Sequence, residues 1–383
     1  MPGRAVLADH TSRRAERILV MKFRSPGDVL LMVPALKALK RKFPEAAISV
    51  ALNAEAAPLL ELHPAVSELL PYGRAGRPAS LLGRAGFELG FARQIRSRRF
   101  DVAINATEGD RGALLALASG APTRVGIDPR GSGLAFKRRI FGHLLPAWPK
   151  DRHNVMCNLD LVALLGAEIS DRGVELALAD SDARRIEELL ASGGIDPGQP
   201  LAHVHAPSRV SYKRWRPEAV AAVVDHLELE RAVRVVLSGA TQEAAYVQAI
   251  VGLCRSRPLD LAGRLSLRQA GALARRARLF FGVDTVVMHL AAAVGTPVVA
   301  LFGPTIASGW GPWDNSGPAL QYPARCGVQQ SGPHIVVQAE RDCVPCGNMG
   351  CQRSGRSACL EELAPREVIP VLDGALERCL RNG

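Results

Sequence analysis

A chain of 383 residues is too long for one average domain and suits two of about 150–200 residues. Its apolar share of 48% can fill two cores, while an aromatic share of 5% argues against a surface built to stack nucleic-acid bases. The net charge of +11 is uneven: residues 1–180 carry 26 Lys and Arg against 18 Asp and Glu, and residues 181–383 carry 22 against 19, so an anionic partner is expected for the first half.

Residues 1–16 are polar and lack an apolar h-region, so they are expected to be neither signal peptide nor anchor, and residues 1–17 read as a disordered tail. No apolar run reaches membrane-spanning length, which makes a cytoplasmic location the expectation. The first strand is RILVMKF (17–23), followed by the tight loop Arg24-Ser-Pro-Gly-Asp28. Helical spacing runs over 29–43, with Pro34 one turn inside and Pro44 ending it. Strand 47–52, helix 55–62, strand 66–71 and helix 80–99 follow; DVAINA (101–106) and RVGID (124–128) then bracket another helix. This alternation predicts a doubly wound parallel sheet over 18–180.

Residues 181–200 hold one helix and the turn-rich GGIDPGQP, which we read as the linker. A second alternating set occupies 201–364: strands 201–205, 233–238, 259, 279–283 and 297–301, and helices 217–229, 242–254, 267–276 and 286–294. A final amphipathic helix closes the chain within 365–383. The expected fold class is α/β, with two Rossmann-like domains facing across a cleft. Neither first turn carries G-x-G-x-x-G, which argues against a dinucleotide oxidoreductase.

Ligands of open α/β sheets bind beyond the carboxyl ends of the strands, so the polar residues there are the candidates. Asp28 follows the first strand, and its carboxylate suits a general base for an acceptor hydroxyl or, alternatively, a helix N-cap. In the second half, HAPSRVSYKRW (205–215) offers Ser208 and Lys213 to a phosphate, and SGATQE (238–243) offers Glu243 to ribose hydroxyls. The stretch LFFGVDTVVMHLAAAVGTPVVALFGPT (279–305) is a buried strand, the cap residues Asp284 and Thr285, a short apolar helix and a second strand. Its helix N-terminus is an anion site, with Asp284 and His289 at the mouth. Three successive strand ends with phosphate donors, a carboxylate and a helix N-terminus read as a nucleotide-diphosphate site.

These runs carry a resemblance. ILVMKFRSPGDVLLMVPALKALKRKFP, FDVAINATEG, RVGID, RHNVMCNLDLVALLG, HAPSRVSYKRW, LSGATQE and DTVVMHLAAAVGTPVVALFGPT occur in the order seen in glycosyltransferase family 9, the ADP-heptose:lipopolysaccharide heptosyltransferases, and span 18–368 with the cysteine-rich CVPCGNMGCQRSGRSACLEELAPREV. The resemblance implies a GT-B fold and an inverting transfer without a metal or cofactor. It also implies a nucleotide-sugar donor, ADP-heptose, an anionic Kdo-lipid A type acceptor, and a peripheral position at the inner face of the cytoplasmic membrane. By it, Asp28 is the base and Lys213 a catalytic cation. Ser208, Lys213, Glu243, Asp284, Thr285, Val286 and His289 bind the donor, and Arg24, Asn105 and Thr107 the acceptor. Arg93, Arg96, Arg98, Arg99, Lys137, Arg138 and Arg139 would add positive charge for the acceptor.

One departure stands out: Val286 replaces the glycine usual two residues after the family's Asp, which leaves open another sugar nucleotide and another glycan. Cys343, Cys346, Cys351 and Cys359 have the number for a four-thiolate zinc site, but their spacing is not that of a zinc ribbon and no His is adjacent. Reduced thiols are the expectation, and metal is assigned no part in the chemistry. A basic, zinc-stabilised nucleic-acid-binding protein is the reading from another class; diffuse charge and few aromatics weigh against it, and no nucleic-acid partner is expected.

Overall fold

The structure is a computed structural model that describes residues 15–73, 78, 80–129, 133, 136–149 and 151–381. Residues 1–14 of the expected tail lie outside the described residues. The chain divides into two compact units, one ending at Ala177 and the other starting at Leu178.

The first unit is built on strands β1 (Arg17–Lys22), β2 (Ala47–Asn53), β3 (Glu68–Tyr72), β4 (Val102–Asn105), β5 (Thr123–Ile127) and β6 (His143–Leu145). They form one sheet in the order β3-β2-β1-β4-β5-β6, parallel throughout. Ile18, Leu19, Val20 and Met21 of β1 are all buried, as expected of a central strand covered on both faces. The helix expected over 29–43 is two helices, Pro26–Leu30 and Val33–Lys42. The break lies between Leu30 and Val33 because Pro34 has no N–H to give the carbonyl of Leu30, and its ring would press on that carbonyl. Its fixed φ suits the first turn of a new helix instead.

The second unit holds β7 (Leu201–His205), β8 (Arg234–Leu237), β9 (Leu259–Asp260), β10 (Leu279–Val283), β11 (Val298–Phe302), β12 (Gly327–Ser331) and β13 (His334–Gln338). The sheet order is β12-β13-β11-β10-β7-β8-β9, parallel except for the β12–β13 hairpin at the edge. The helix Asp180–Ser192, read from sequence with the linker, packs Ile186, Leu189 and Leu190 against Leu201, Val236 and Leu273 of this unit. The final helix Pro365–Arg381 packs Val368, Leu372 and Leu376 into a second cluster of this unit, with Val204, Val235 and Leu237.

In each sheet the strand order reverses once, between β1 and β4 in the first and between β7 and β10 in the second. Such reversals splay the connections apart and open a crevice at the carboxyl ends of the strands. Arg24, Thr107, Ser208, Asp284 and Thr285 sit in loops or caps after such ends, Asn105 ends β4, Asp28 lies in the short helix after β1, and Lys213 and Glu243 lie in one-turn helices after β7 and β8.

Candidate active site

In the second unit, β7 delivers the chain to Ser208 and Lys213, and β10 delivers it to Asp284 and Thr285. Lys213 Nζ donates to Asp284 Oδ2 at 2.5 Å, with Asp284 buried and Lys213 partly exposed. Thr285 is the N-cap of the helix Val286–Ala293, yet its side chain makes no cap bond. Its buried Oγ1 has no hydrogen-bond partner. A helix start with its hydroxyl and first N–H groups unspent, beside an ammonium, is suited to a diphosphate. Ser208 is buried, and its hydroxyl accepts from the Val210 N–H at 3.3 Å, which leaves the hydroxyl proton to donate. Glu243 ends a one-turn helix and is buried; Oε2 accepts from the Ala240 N–H at 2.9 Å. His289, on the helix Val286–Ala293, is buried. Val286 is its first residue, half-buried, with a side chain where glycine would leave the backbone bare.

Beneath this site, Ser238 Oγ lies 2.7 Å from His203 Nε2 and 2.9 Å from His205 Nδ1. Burial pushes His205 down to about 4 and His203 well below its usual value, so both rings are neutral at neutral pH. Neither ring therefore adds positive charge to the half-site, whereas Lys213 and the helix N-terminus do.

In the first unit, Asp28 is buried in the first turn of the helix Pro26–Leu30. The N-cap is Ser25, which overturns the reading of Asp28 as the cap. Asp28 Oδ1 accepts from Arg24 Nε at 3.1 Å and Oδ2 from the Ser25 hydroxyl. Across the switch point, Met21 of β1 pairs with Asn105 of β4. Asn105 Oδ1 accepts from Thr107 Oγ1 at 2.7 Å. Gly112 packs so close that a Cβ there would stand 2.1 Å from Asn105 Oδ1, so the turn after β4 depends on that glycine.

The protein-family model described as glycosyltransferase family 9 (heptosyltransferase) matches residues 89–333. The chain belongs to glycosyltransferase family 9. Lipopolysaccharide heptosyltransferase 3 of Escherichia coli is 30% identical over 292 residues, covering 76% of this chain and 84% of that protein. Among solved structures, a family 9 glycosyltransferase from Veillonella parvula superposes with a TM-score of 0.80 at 23% identity, covering 95% of this chain and 98% of that one. The ADP-heptose lipopolysaccharide heptosyltransferase II of E. coli gives 0.72 at 20%, covering 94% and 99%. The fold of this family 9 enzyme is GT-B, as the resemblance implied.

Several cations expected to serve an acceptor are already paired in the family 9 enzyme. Arg98 grips Glu68 through Nε at 2.8 Å, and that guanidinium holds the Glu68 carboxyl below its usual value. Lys137 is buried, donating to the Glu108 carbonyl at 2.6 Å and to Asp110 Oδ1 at 3.0 Å. Arg138 meets Asp128 at 3.1 Å. Arg93, Arg96, Arg99 and Arg139 are exposed.

Two residues at strand ends were missed: Lys22, the last residue of β1, and Asn53, the last of β2. Asn53 Nδ2 donates to the Arg24 carbonyl at 2.9 Å and so steadies the loop that bears Asp28. Their signal was available, since each is a polar residue ending an apolar run.

The cysteine-rich segment of the enzyme braces the loop that carries Lys213. Ser211 Oγ donates to the Gly355 carbonyl at 2.7 Å, and Trp215 Nε1 to the Leu363 carbonyl at 3.0 Å, on either side of Lys213. The Gly347 N–H donates to the Pro304 carbonyl at 2.8 Å, and a Cβ at Gly303 would press on Leu360 at 2.8 Å. Cys343, Cys346, Cys351 and Cys359 line one small cavity. Among the described residues, no group of three or more His, Cys, Asp or Glu side chains is arranged to hold a metal ion. Burial, with the three other thiols adding, pushes Cys359 up to about 11, and burial pushes Cys157 up to about 12. Thiolate is the reactive form. In alkylation at neutral pH followed by peptide mass spectrometry, the exposed Cys343, Cys346 and Cys351 should therefore label first and Cys359 and Cys157 only on unfolding. Equal labelling of Cys359 and Cys343 in the folded protein would contradict this.

Proposed function

We propose that this glycosyltransferase moves heptose from ADP-heptose to the inner core of lipopolysaccharide, on an anionic Kdo-lipid A type acceptor, with inversion and without a metal in the chemistry. The observation that carries the reading is the donor half-site: Lys213 held by Asp284 beside the unspent Thr285 hydroxyl and the first N–H groups of the helix Val286–Ala293. It supplies in protein groups what a divalent cation would otherwise supply to a departing diphosphate. The E. coli relative at 30% identity, a lipopolysaccharide heptosyltransferase, supports the donor and acceptor classes.

In this reading Ser208 and Lys213 contact the donor phosphates, Glu243 takes the ribose hydroxyls, and Asp284, Thr285, Val286 and His289 shape the strand-to-helix turn. Arg24, Asn105 and Thr107 contact the acceptor. Its hydroxyl passes a proton to Asp28 as its oxygen attacks the anomeric carbon, and the bond to the ADP oxygen breaks on the opposite side. One displacement of this kind inverts the configuration.

We also place the enzyme peripherally on the inner face of the cytoplasmic membrane. No helix among the described residues is long and apolar enough to cross a membrane. The helix Leu81–Arg96 exposes Leu81 and Leu82, at 82% and 88%, alongside the exposed Arg84, Arg93 and Arg96, a combination suited to an anionic lipid surface.

The test is incubation with a heptose-deficient core glycolipid and a panel of sugar nucleotides, followed by mass spectrometry. The acceptor should gain one heptose from ADP-heptose, with ADP released at the same rate in EDTA. Consumption of another sugar nucleotide in its place would establish the second reading, which the Val286 side chain keeps open. Cosedimentation with anionic but not neutral vesicles tests the membrane position, and equal pelleting with both would remove it.

A further inference from the structure

Lys22 ends the central strand of the first sheet, at the switch point, and is wholly buried. Its neighbours in β1 are apolar, and a Leu or Met would satisfy the packing there. Burying an ammonium instead carries a desolvation penalty that persists after the surroundings relax. Such a cost, beside a candidate catalytic carboxylate, marks a functional group.

The ammonium is deliberately held. Nζ donates to Asn158 Oδ1 at 3.0 Å and stands 5.4 Å from the centroid of the Trp148 ring. Asn158 cannot turn its amide, because Nδ2 is spent on the Leu31 carbonyl at 3.1 Å and Asn154 Oδ1 at 3.0 Å. Its oxygen is thus fixed toward Lys22. Four charged or titratable groups face the ammonium: Asp28 in the first turn of the helix Pro26–Leu30, Arg24 in the loop before it, Cys157 on the helix Asn154–Ala163, and Glu108 after β4. Asp28 is the strongest of the three that favour the charged form, and Arg24 opposes it. Leu31, whose carbonyl orients Asn158, follows the helix that bears Asp28, so one backbone segment ties the two groups together.

We propose that Lys22 is a positioning residue for the transfer reaction: its buried ammonium, held by Asn158, fixes and compensates the Asp28 carboxylate until that carboxylate receives the acceptor proton. The proposal rests on the reading of Asp28 as the base. It predicts that only the protonated form of Lys22 supports turnover.

Burial pushes Lys22 from 10.5 down to about 8. Turnover should therefore fall as pH rises through about 8. The effect on stability has the opposite sign. Between about 8 and 10.5 the unfolded chain binds this proton and the folded chain does not, so Lys22 makes folding more favourable as pH rises through that window. An ammonium with a merely structural role would give the stability gain without the loss of turnover.

The experiment is a pH profile of kcat beside thermal unfolding for the parent, Lys22→Met and Asn158→Ala. Lys22→Met should lower kcat at pH 7 by about 10- to 100-fold, the usual effect of removing a group that orients a functional side chain. It should also abolish both the alkaline fall near pH 8 and the accompanying stability gain. Asn158→Ala removes a bond to the charged form, so its alkaline fall should move to lower pH with donor KM unchanged. A Lys22→Met enzyme within twofold of the parent, or one that keeps the same alkaline limb, overturns the proposal. If that variant does not fold, an unmoved limb in Asn158→Ala overturns it alone. Asp28→Asn separates the two readings: full activity there removes the base, whereas an inactive Asp28→Asn beside an unaffected Lys22→Met removes only the role of Lys22.

Discussion

Asp28→Asn is expected to lower kcat by roughly 10²–10⁴, the usual worth of a general base, with donor affinity almost unchanged. The substitution is close to silent for the fold. Ser25 is the cap of the helix Pro26–Leu30, so Asp28 is not needed to start it. The Asn oxygen can still accept from Arg24 Nε, and the Asn amide can donate to the Ser25 hydroxyl, reversing one bond without losing it. The Arg24 side chain is about half exposed, so weakening its ion pair costs at most about 1 kcal/mol. What the amide cannot do is take a proton. Donor binding should be spared because the residues proposed for the donor belong to the second unit. The assay is steady-state transfer with a donor titration on the folded variant. Turnover near the parent rate, with donor bound, would remove Asp28 from the chemistry.

Lys213→Ala should act on both binding and turnover. It removes the ammonium paired with Asp284 and leaves that buried carboxylate without this partner where the diphosphate is proposed to bind. Donor affinity should fall for both reasons. The charge on the diphosphate grows as the bond to the sugar breaks, so kcat should fall as well, by roughly 10²–10³ if Lys213 acts like other donors aimed at developing charge. The ion pair also predicts a coupling. Adding Asp284→Asn to Lys213→Ala removes the stranded carboxylate and should recover part of the lost donor affinity, so the two effects will not add. Isothermal titration with ADP, together with kcat, reads both parts. Unchanged ADP affinity in Lys213→Ala would place the donor phosphates elsewhere.

The sequence by itself determined the fold class, the alternation of strands and helices, and where the residues proposed for the donor fall in the chain. Each of these is local. β10 and the helix Leu267–Arg276 fall where an apolar run and a capped periodic segment end, because a central parallel strand must be apolar and a helix must meet its orphan N–H groups. Ser208, Lys213, Glu243, Asp284 and Thr285 could be found because polar residues after apolar strands mark the carboxyl edge of a sheet. The sequence could not show which strands are neighbours. Only the tertiary structure brings Asn105 beside Met21, and Asn158, 136 residues away, onto Lys22. Pairings across such distances leave no periodic trace, so Lys22 passed as an ordinary strand end and Asn158 as part of a helix. The partners that consume charge were hidden for the same reason. Arg98 and Lys137 count as free cations in a composition, and only in the folded chain do Glu68 and Asp110 neutralise them. The role of Ser25 as cap was likewise decided by geometry: Pro26 and Pro34 each start a helix, which shortened the first one and moved Asp28 from the cap into its first turn.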